Sequence, residues 1–193
     1  MSNHSHKPQK FLVSAVDGYP LDASAWINHS ETLFSTRAVV IINPATSVHS
    51  RYYSHFANYL YANGFDVVTY DYRGIGNSRP ESLRGFDASW IDWGTQDFEG
   101  ILRFVATRFR GQPIHVVAHS VGGFLVGLAE SNHLVSRVFT MGSVCLLEGL
   151  CAAKTLGDVL AMACCYAGIS CNLWIFSRQP PRVARRYPTG CRS

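Results

Sequence analysis

The segment that most restricts how this chain can fold is His115–Gly123, which reads HVVAHSVGG. The run Ile114–Ala118 before the turn is short, apolar and β-branched and predicts a buried strand, whereas Val121–Glu130 predicts an apolar helix. Ser120 lies at the junction of the two. Strands that alternate with helices are typical of a doubly wound α/β domain, so the segment predicts a parallel sheet with a serine at a sharp turn.

The residues around Ser120 follow the pattern A-x-S-x-G, with Ala118 before the serine and Gly122 after it. The pattern differs by one residue from the nucleophile elbow G-x-S-x-G, in which small neighbours permit a tight turn. At such a turn the hydroxyl stands clear of the sheet, and the next amide points toward an oxyanion at the positive end of the helix. We therefore expect Ser120 to be a nucleophile and the Val121 amide an oxyanion donor, with a plain packing turn as the alternative.

A second motif lies in Phe65–Ser78, which reads FDVVTYDYRGIGNS. Its apolar run ends in a polar, glycine-rich loop that resembles the loop after the fourth strand of α/β-hydrolases. A dinucleotide fingerprint would need a third glycine and a helix that begins directly on it, whereas Arg79 and Pro80 follow here. We expect Asp71 and Arg73 to brace the loop rather than to perform chemistry.

The order of these motifs extends the resemblance over residues 11–143. An opening hairpin, alternating strands and helices, and the phrases VVTYDYRGIGNSRP, DWGTQDFEGIL and VAHSVGG follow one another. This region resembles the N-terminal half of bacterial α/β-hydrolases close to the serine aminopeptidase-like and monoacylglycerol-lipase-like groups. The elements expected are a hairpin Phe11–Val16 and Leu21–Ile27, strands Ala38–Ile42, Phe65–Tyr70, Ile114–Ala118 and Arg137–Met141, and helices near Tyr52–Asn63, Ser89–Phe109 and Val121–Glu130.

The resemblance implies hydrolysis of a small-molecule ester, amide or thioester through an acyl-enzyme on Ser120, with no cofactor or metal. In α/β-hydrolases the loop after the third strand supplies the second oxyanion amide. Here that loop begins Asn43-Pro44-Ala45-Thr46, and Pro44 has no N–H, which leaves Ala45 or Thr46 as the donor. His119 is adjacent to the serine in sequence, but neighbouring side chains at such a turn point apart. We therefore expect His119 to support the site without contacting the substrate.

A serine nucleophile needs a carboxylate and a histidine base, which follow it along the chain in this fold. The only histidine after Ser120 is His133, about one helix length away, and we expect it on the surface at the helix end. Glu148 and Asp158 are the only later acidic residues beyond the helix. The sequence therefore predicts a truncated α/β-hydrolase domain whose activity is lost, and whose last predicted strand exposes an unpaired edge unless the tail covers it.

The composition changes near residue 143. All six cysteines follow this point and all eight histidines precede it, and the net charge of +4 arises entirely beyond it. This charge is no argument for nucleic acid binding. Cysteines confined to the tail do not favour a disulfide scaffold, which would be dispersed through the domain, and without histidines they do not favour a zinc site. Residues Trp174–Arg192 can be back-translated so that the next reading frame gives GYFPGNRLGWLEDIPRGV, a hydrolase-like string. We expect residues 144–193 to be an out-of-frame peptide.

Two further expectations concern location. Residues 1–10 are polar, and the apolar run after them is too short for a signal peptide, so we expect a flexible N-terminus and a cytoplasmic protein. Val159–Phe176 is apolar and precedes several arginines, which makes a tail anchor the rival interpretation. In that case the chain would be a non-catalytic interaction or membrane module rather than an enzyme.

Overall fold

The computed structural model describes residues 6–28 and 37–142 and the short strand Trp174–Ser177. The described residues form one seven-stranded sheet with helices on both faces. The strands are β1 (Gln9–Ser14), β2 (Pro20–Trp26), β3 (Val39–Asn43), β4 (Asp66–Tyr70), β5 (Ile114–His119), β6 (Val135–Met141) and β7 (Trp174–Ser177). The α-helices are α1 (Ser54–Ala62), α2 (Trp90–Asp92), α3 (Glu99–Arg108) and α4 (Val121–Leu128).

The strand order is β1-β2-β4-β3-β5-β6-β7. The central strands β4, β3, β5 and β6 run parallel, and β1 and β2 form an antiparallel hairpin at one side. Gly18, with φ +87°, occupies the hairpin turn in a conformation that glycine adopts without strain. The predicted fold class, a mostly parallel doubly wound sheet with an N-terminal hairpin, is confirmed.

Two hydrophobic clusters lie on opposite faces of the sheet. On one face α3 and α4 cover a core that includes Phe98, Ile101 and Leu125. On the other face α1 covers a smaller core that includes Trp26 and Ala57. Every residue of β3 and β4 is buried because both faces of these strands are covered, which explains the apolar run Val39–Ile42 in β3.

The single helix predicted over Ser89–Phe109 has a different internal structure. Ser89 begins α2 with a capping box to Asp92, but Trp93–Phe98 is π-helical before α3 starts at Glu99. At Gly94 an added Cβ would lie 2.7 Å from Leu128 Cβ, so this turn approaches α4 more closely than a side chain permits. Hydrophobic spacing predicts a helix but does not predict a local change of hydrogen-bond register, which depends on tertiary contacts.

The edge of β6 is covered over Arg137–Thr140, because β7 pairs there in the antiparallel direction, with Arg137 opposite Ser177 and Thr140 opposite Trp174. The prediction of an unpaired edge is therefore wrong over these residues, and its alternative, coverage by the tail, is observed. The helix after the serine also ends at Leu128 rather than Glu130. Residues 1–5, 29–36, 143–173 and 178–193 lie outside the described residues. They include half of the N-terminus expected to be flexible over residues 1–10, and most of the tail.

Gly100 provides a test of how closely α3 packs on the hairpin. A Cβ at this position would lie 2.8 Å from both Ala15 Cα and Ser14 O. We expect Gly100→Ala to lower the free energy of unfolding by about 1–3 kcal/mol, because overpacking outweighs the gain in helix propensity of about 1 kcal/mol. Urea denaturation measures the change, and Thr107→Ala on the exposed side of the same helix is the control. Equal or greater stability of Gly100→Ala would contradict this packing.

Candidate functional site

Ser120 lies between β5 and α4 in a backbone conformation that side chains rarely adopt. Its φ is +52° and its ψ is −121°, and it is one of two described residues other than glycine with positive φ. Its amide donates to the Met141 carbonyl at 2.9 Å, and its carbonyl accepts from the Gly123 amide at 3.2 Å. A sparsely populated conformation costs of order 1–3 kcal/mol and persists only when its surroundings enforce it, often at functional sites.

The first turn of α4 fits directly against the end of β3. A Cβ on Gly122 would lie 2.7 Å from Asn43 O and 2.9 Å from Pro44 O. The Asn43 side chain is buried, donates to the Gly122 carbonyl at 3.2 Å and accepts from the Tyr70 hydroxyl at 3.0 Å. Glycine is therefore required at position 122, because the backbone of β3 lies too close for any side chain. This close approach explains the small residue in the A-x-S-x-G pattern.

The strand register sets the level of the two loops at this edge of the sheet. In the parallel pair β3–β5, Asn43 lies opposite Ala118, so Ala45 and Ser120, each two residues further on, leave the sheet at the same level. The Val121 amide is the first of α4 and has no partner within the helix. The buried Ala45 amide donates to the Tyr53 hydroxyl at 3.0 Å, whereas Thr46 is exposed.

The Tyr53 hydroxyl also lies 2.9 Å from Nδ1 of His119. The Tyr53 side chain is only 4% exposed, and desolvation raises its pKa although the Ala45 amide acts to lower it. Sequence reasoning did not single out Tyr53, because the residue belongs to the helical approach to α1 and is adjacent in sequence to no motif. Only the fold brings it to the serine turn.

The loop after β4 is held by the buried carboxylate of Asp71. This side chain accepts from the Ser50 amide at 2.6 Å and from the Asn77 amide at 2.9 Å. Gly76 has φ +54°, and a Cβ there would lie 2.0 Å from Asp71 Oδ2. Asp71 thus connects the segment that follows the Ala45 loop to the glycine-rich loop after β4.

Arg73 forms a buried ion pair that the sequence analysis did not identify. Its Nε donates to Asp97 at 2.7 Å and its backbone amide to the same carboxylate at 2.8 Å. Burial raises the pKa of Asp97 to about 6, although the hydrogen bonds from Arg73 act to lower it. Asp97 belongs to the phrase DWGTQDFEGIL, and this phrase was the sequence signal that could have identified the residue.

Asp17, in the hairpin turn, is the second partner of Arg73. Its two oxygens accept from Nη1 at 2.6 Å and Nη2 at 2.9 Å, and the Arg73 hydrogen bond lowers the pKa of Asp17 below its usual value of 3.8. Because the folded pKa is the lower one, the ionised carboxylate stabilises the fold above that value, and the contribution disappears as the pH falls through the folded pKa.

We expect Asp17→Asn to be less stable than the unchanged chain near pH 6, with the difference shrinking below about pH 4. Urea denaturation of both chains over this pH range measures it. Asp22→Asn, which replaces another carboxylate of the same hairpin, is the control for general charge effects. A stability difference that grows on acidification would contradict the direction of the Asp17 shift.

His133 lies far from the serine. It is exposed in the 3-10 turn Asn132–Leu134, directly before β6. Ser120 follows the opposite end of the neighbouring strand β5, and a six-residue strand separates its two edges by about 20 Å. A base must lie within hydrogen-bond reach of the hydroxyl or one water away, so His133 is not placed to act on Ser120.

The described ranges contain no cluster of three His, Cys, Asp or Glu side chains that could hold a metal ion. No helix within these ranges is long and apolar enough to cross a membrane. The tail-anchor prediction over Val159–Phe176 falls almost entirely outside the described residues, so the structure leaves it as a prediction.

Solved structures of low sequence identity share the fold of this chain. A soluble variant of monoglyceride lipase from Saccharomyces cerevisiae is 17% identical, with a TM-score of 0.59 over 76% of this chain and 48% of that one. A carboxyl esterase from Bacillus coagulans is 18% identical, with a TM-score of 0.56 over 72% and 45%. An α/β serine hydrolase homologue from Coxiella burnetii is 17% identical, with a TM-score of 0.55 over 79% and 68%. The fold is that of the α/β-hydrolases.

The family follows from the sequence. The model of the serine aminopeptidase family, S33, matches residues 35–147, which is more than half of the chain. The chain belongs to this α/β-hydrolase family, and the predicted resemblance is confirmed. It spans about half the length of the monoglyceride lipase and carboxyl esterase structures that it matches. No curated protein matches the sequence.

Proposed function

We propose that the site of this protein is that of a serine hydrolase, in which Ser120 attacks the carbonyl carbon of an ester, amide or thioester. The observation that carries this proposal is the φ of +52° at Ser120, held at the turn between β5 and α4. A packing turn has no need of a strained serine when glycine adopts positive φ at little cost, whereas a nucleophile elbow requires the hydroxyl there.

The chemistry follows from the surroundings of the serine. Attack by Oγ forms a tetrahedral intermediate whose negative oxygen needs preorganised donors. The Val121 amide is suited to this role, because it lacks a partner within α4 and lies at the positive end of that helix. Ala45 and Thr46 lie in the loop that would supply the second donor. The similar lipase and esterase folds favour a small-molecule ester as the substrate class.

The acid and base of the reaction follow the serine along the chain in this fold, and His133, the only histidine after Ser120, is not placed to act on it. We propose that they are encoded downstream in another reading frame, and that residues from about 144 onward are out of frame. Three observations support this: the segregation of cysteines and histidines, the hydrolase-like string in the shifted frame, and the end of the family match at residue 147. The 193-residue chain is then inactive, because an unassisted serine hydroxyl is a weak nucleophile.

A fluorophosphonate probe tests the proposal, because it reacts with activated serine hydroxyls. We expect no more labelling of the 193-residue chain than of its Ser120→Ala variant, and strong labelling at Ser120 after the coding sequence is returned to the original frame near codon 143. Peptide mass spectrometry locates the adduct. Labelling of the frame-restored protein at another residue would refute the nucleophile, and strong Ser120 labelling of the 193-residue chain would refute its inactivity.

A non-catalytic interaction module is the other class of function. The membrane-anchored form of this alternative depends on residues that the structure does not describe, and no described contact favours a partner protein over a substrate. It has no supporting observation comparable to the serine turn, and the labelling experiment distinguishes it, because such a module would leave Ser120 unreactive in both reading frames.

A further inference from the structure

The Tyr53 hydroxyl meets two groups at the candidate site. Its oxygen accepts a hydrogen bond from the Ala45 amide at 3.0 Å and lies 2.9 Å from Nδ1 of His119, the residue directly before the serine. The Ala45 amide, one of the two candidates for the second oxyanion donor beside Thr46, is thus already engaged. The Tyr53 hydroxyl oxygen therefore occupies the position toward which the Ala45 N–H is directed.

The register of the sheet places this hydroxyl beside the serine turn. Asn43 pairs with Ala118 across β3 and β5, so the Ala45 amide leaves the sheet at the level of Ser120. The contacts of Gly122 with Asn43 and Pro44 bring α4 against the same point of the chain. A group bound to the Ala45 amide therefore lies next to the start of α4, where the Val121 amide is available.

A tyrosine hydroxyl has one proton to donate and can accept hydrogen bonds. If Nδ1 of His119 is unprotonated, the Tyr53 proton is used in a hydrogen bond to it. If Nδ1 carries the proton, His119 donates to Tyr53, whose oxygen then accepts two hydrogen bonds and whose own proton has no partner among the described residues. In that second state the proton is available to a ligand.

We propose, on the basis of the proposed hydrolase function, that Tyr53 donates the second oxyanion hydrogen bond in place of the Ala45 amide, with His119 protonated on Nδ1. The Ala45 amide and His119 then act as positioning groups that fix the direction of the tyrosine O–H. Tyr53 is thereby a catalytic residue, since its proton touches the reacting oxygen.

The proposed step is the attack of the Ser120 hydroxyl on the substrate carbonyl. A bond forms between Ser120 Oγ and the carbonyl carbon, the carbonyl π pair moves onto oxygen, and the serine proton passes to the imidazole base that the proposed function requires. The oxyanion accepts from the Val121 N–H and the Tyr53 O–H without taking either proton. Because desolvation raises the pKa of Tyr53, its hydroxyl stays protonated at neutral pH and remains a donor.

The tautomer of His119 tests the proposal without any need for activity. Nitrogen-15 NMR of the imidazole-labelled 193-residue chain near pH 8.5, well above the usual imidazole pKa of about 6.5, distinguishes Nδ1–H from Nε2–H. We expect Nδ1–H in the unchanged chain and a change in its nitrogen shifts in Tyr53→Phe. Tyr59→Phe, an exposed tyrosine on α1, should leave the shifts unchanged. Nε2–H in the unchanged chain would overturn the proposal.

Kinetics separate this proposal from the function on which it rests. They use the frame-restored protein, which is the protein made after the coding sequence is returned to the original frame near codon 143. We expect Tyr53→Phe to lower kcat by about 10²–10³-fold with little change in KM, the effect of losing one oxyanion donor. Tyr59→Phe should retain full kcat. An unchanged kcat in Tyr53→Phe would show that the freed Ala45 amide suffices and overturn the proposal, while leaving the hydrolase function intact. Absence of any Ser120-dependent turnover would refute the hydrolase function itself.

Discussion

Replacing Ser120 with alanine in the frame-restored protein is expected to lower kcat/KM for a simple ester by at least about 10⁴-fold. Removal of a triad nucleophile leaves only the small residual rate that substrate binding and the oxyanion donors supply. In the 193-residue chain the same replacement is expected to change the rate hardly at all, because the base that we propose for Ser120 is not encoded in this reading frame. Hydrolysis of a p-nitrophenyl ester, followed by absorbance, measures both rates.

Ser82→Ala is the matched control, since Ser82 is an exposed loop serine away from the serine turn. It should retain the activity of the frame-restored protein. A Ser120-dependent turnover near the usual enzyme range of about 1 per second or more in the 193-residue chain would contradict the predicted loss of function. It would show that a base for Ser120 lies within this chain.

The largest expected effect on stability belongs to Asp97. Its side chain is 0% exposed and pairs with the Arg73 guanidinium, which is 8% exposed. Asp97→Ala leaves a buried positive charge with only its partly exposed partner Asp17, and breaking a buried pair in this way typically costs about 3–5 kcal/mol. Because small domains are stable by only about 5–15 kcal/mol, we expect a large drop in the urea midpoint or loss of the folded state.

Two comparisons separate the buried pair from general charge effects. Glu130→Ala removes the exposed pair of Glu130 with Arg103, and we expect almost no change in the urea midpoint, because solvent screens exposed ion pairs. The double variant Asp97→Leu with Arg73→Met removes both buried charges. It should be more stable than Asp97→Ala because no buried charge is left unpaired, and Asp17, which also loses its partner, is 42% exposed. A double variant as unstable as Asp97→Ala would assign the loss to packing rather than to the charge.

The order of strands and helices could be predicted because each element carries its own periodicity. The apolar runs of β3 and β4 predict buried strands, and the turn at Gly18 predicts the hairpin. The π-helical turn Trp93–Phe98 and the pairing of β7 with β6 were not predicted. Hydrophobic spacing does not distinguish a π turn from an α turn, and it does not identify the partner of a strand distant in sequence.

Some residues of the candidate site could be predicted from the sequence, and others could not. Ser120, Val121 and Gly122 could be chosen from sequence because strand, turn and helix are contiguous there. Tyr53 could not, since it is far along the chain from the serine and reaches His119 only because β3 and β5 are neighbours in the sheet. The use of the Ala45 amide by Tyr53 likewise depends on how the helical approach to α1 packs over β3.

The sequence by itself determined the fold class, the position of the serine turn and the change of composition near residue 143, because each depends on residues adjacent in the chain. The tertiary structure alone decided which groups meet at the serine, which charges are buried together and how closely α4 approaches β3. Those outcomes depend on strand register and helix packing, which are set by contacts between residues distant in sequence. The local periodicity of a sequence carries no information about which distant residues come into contact.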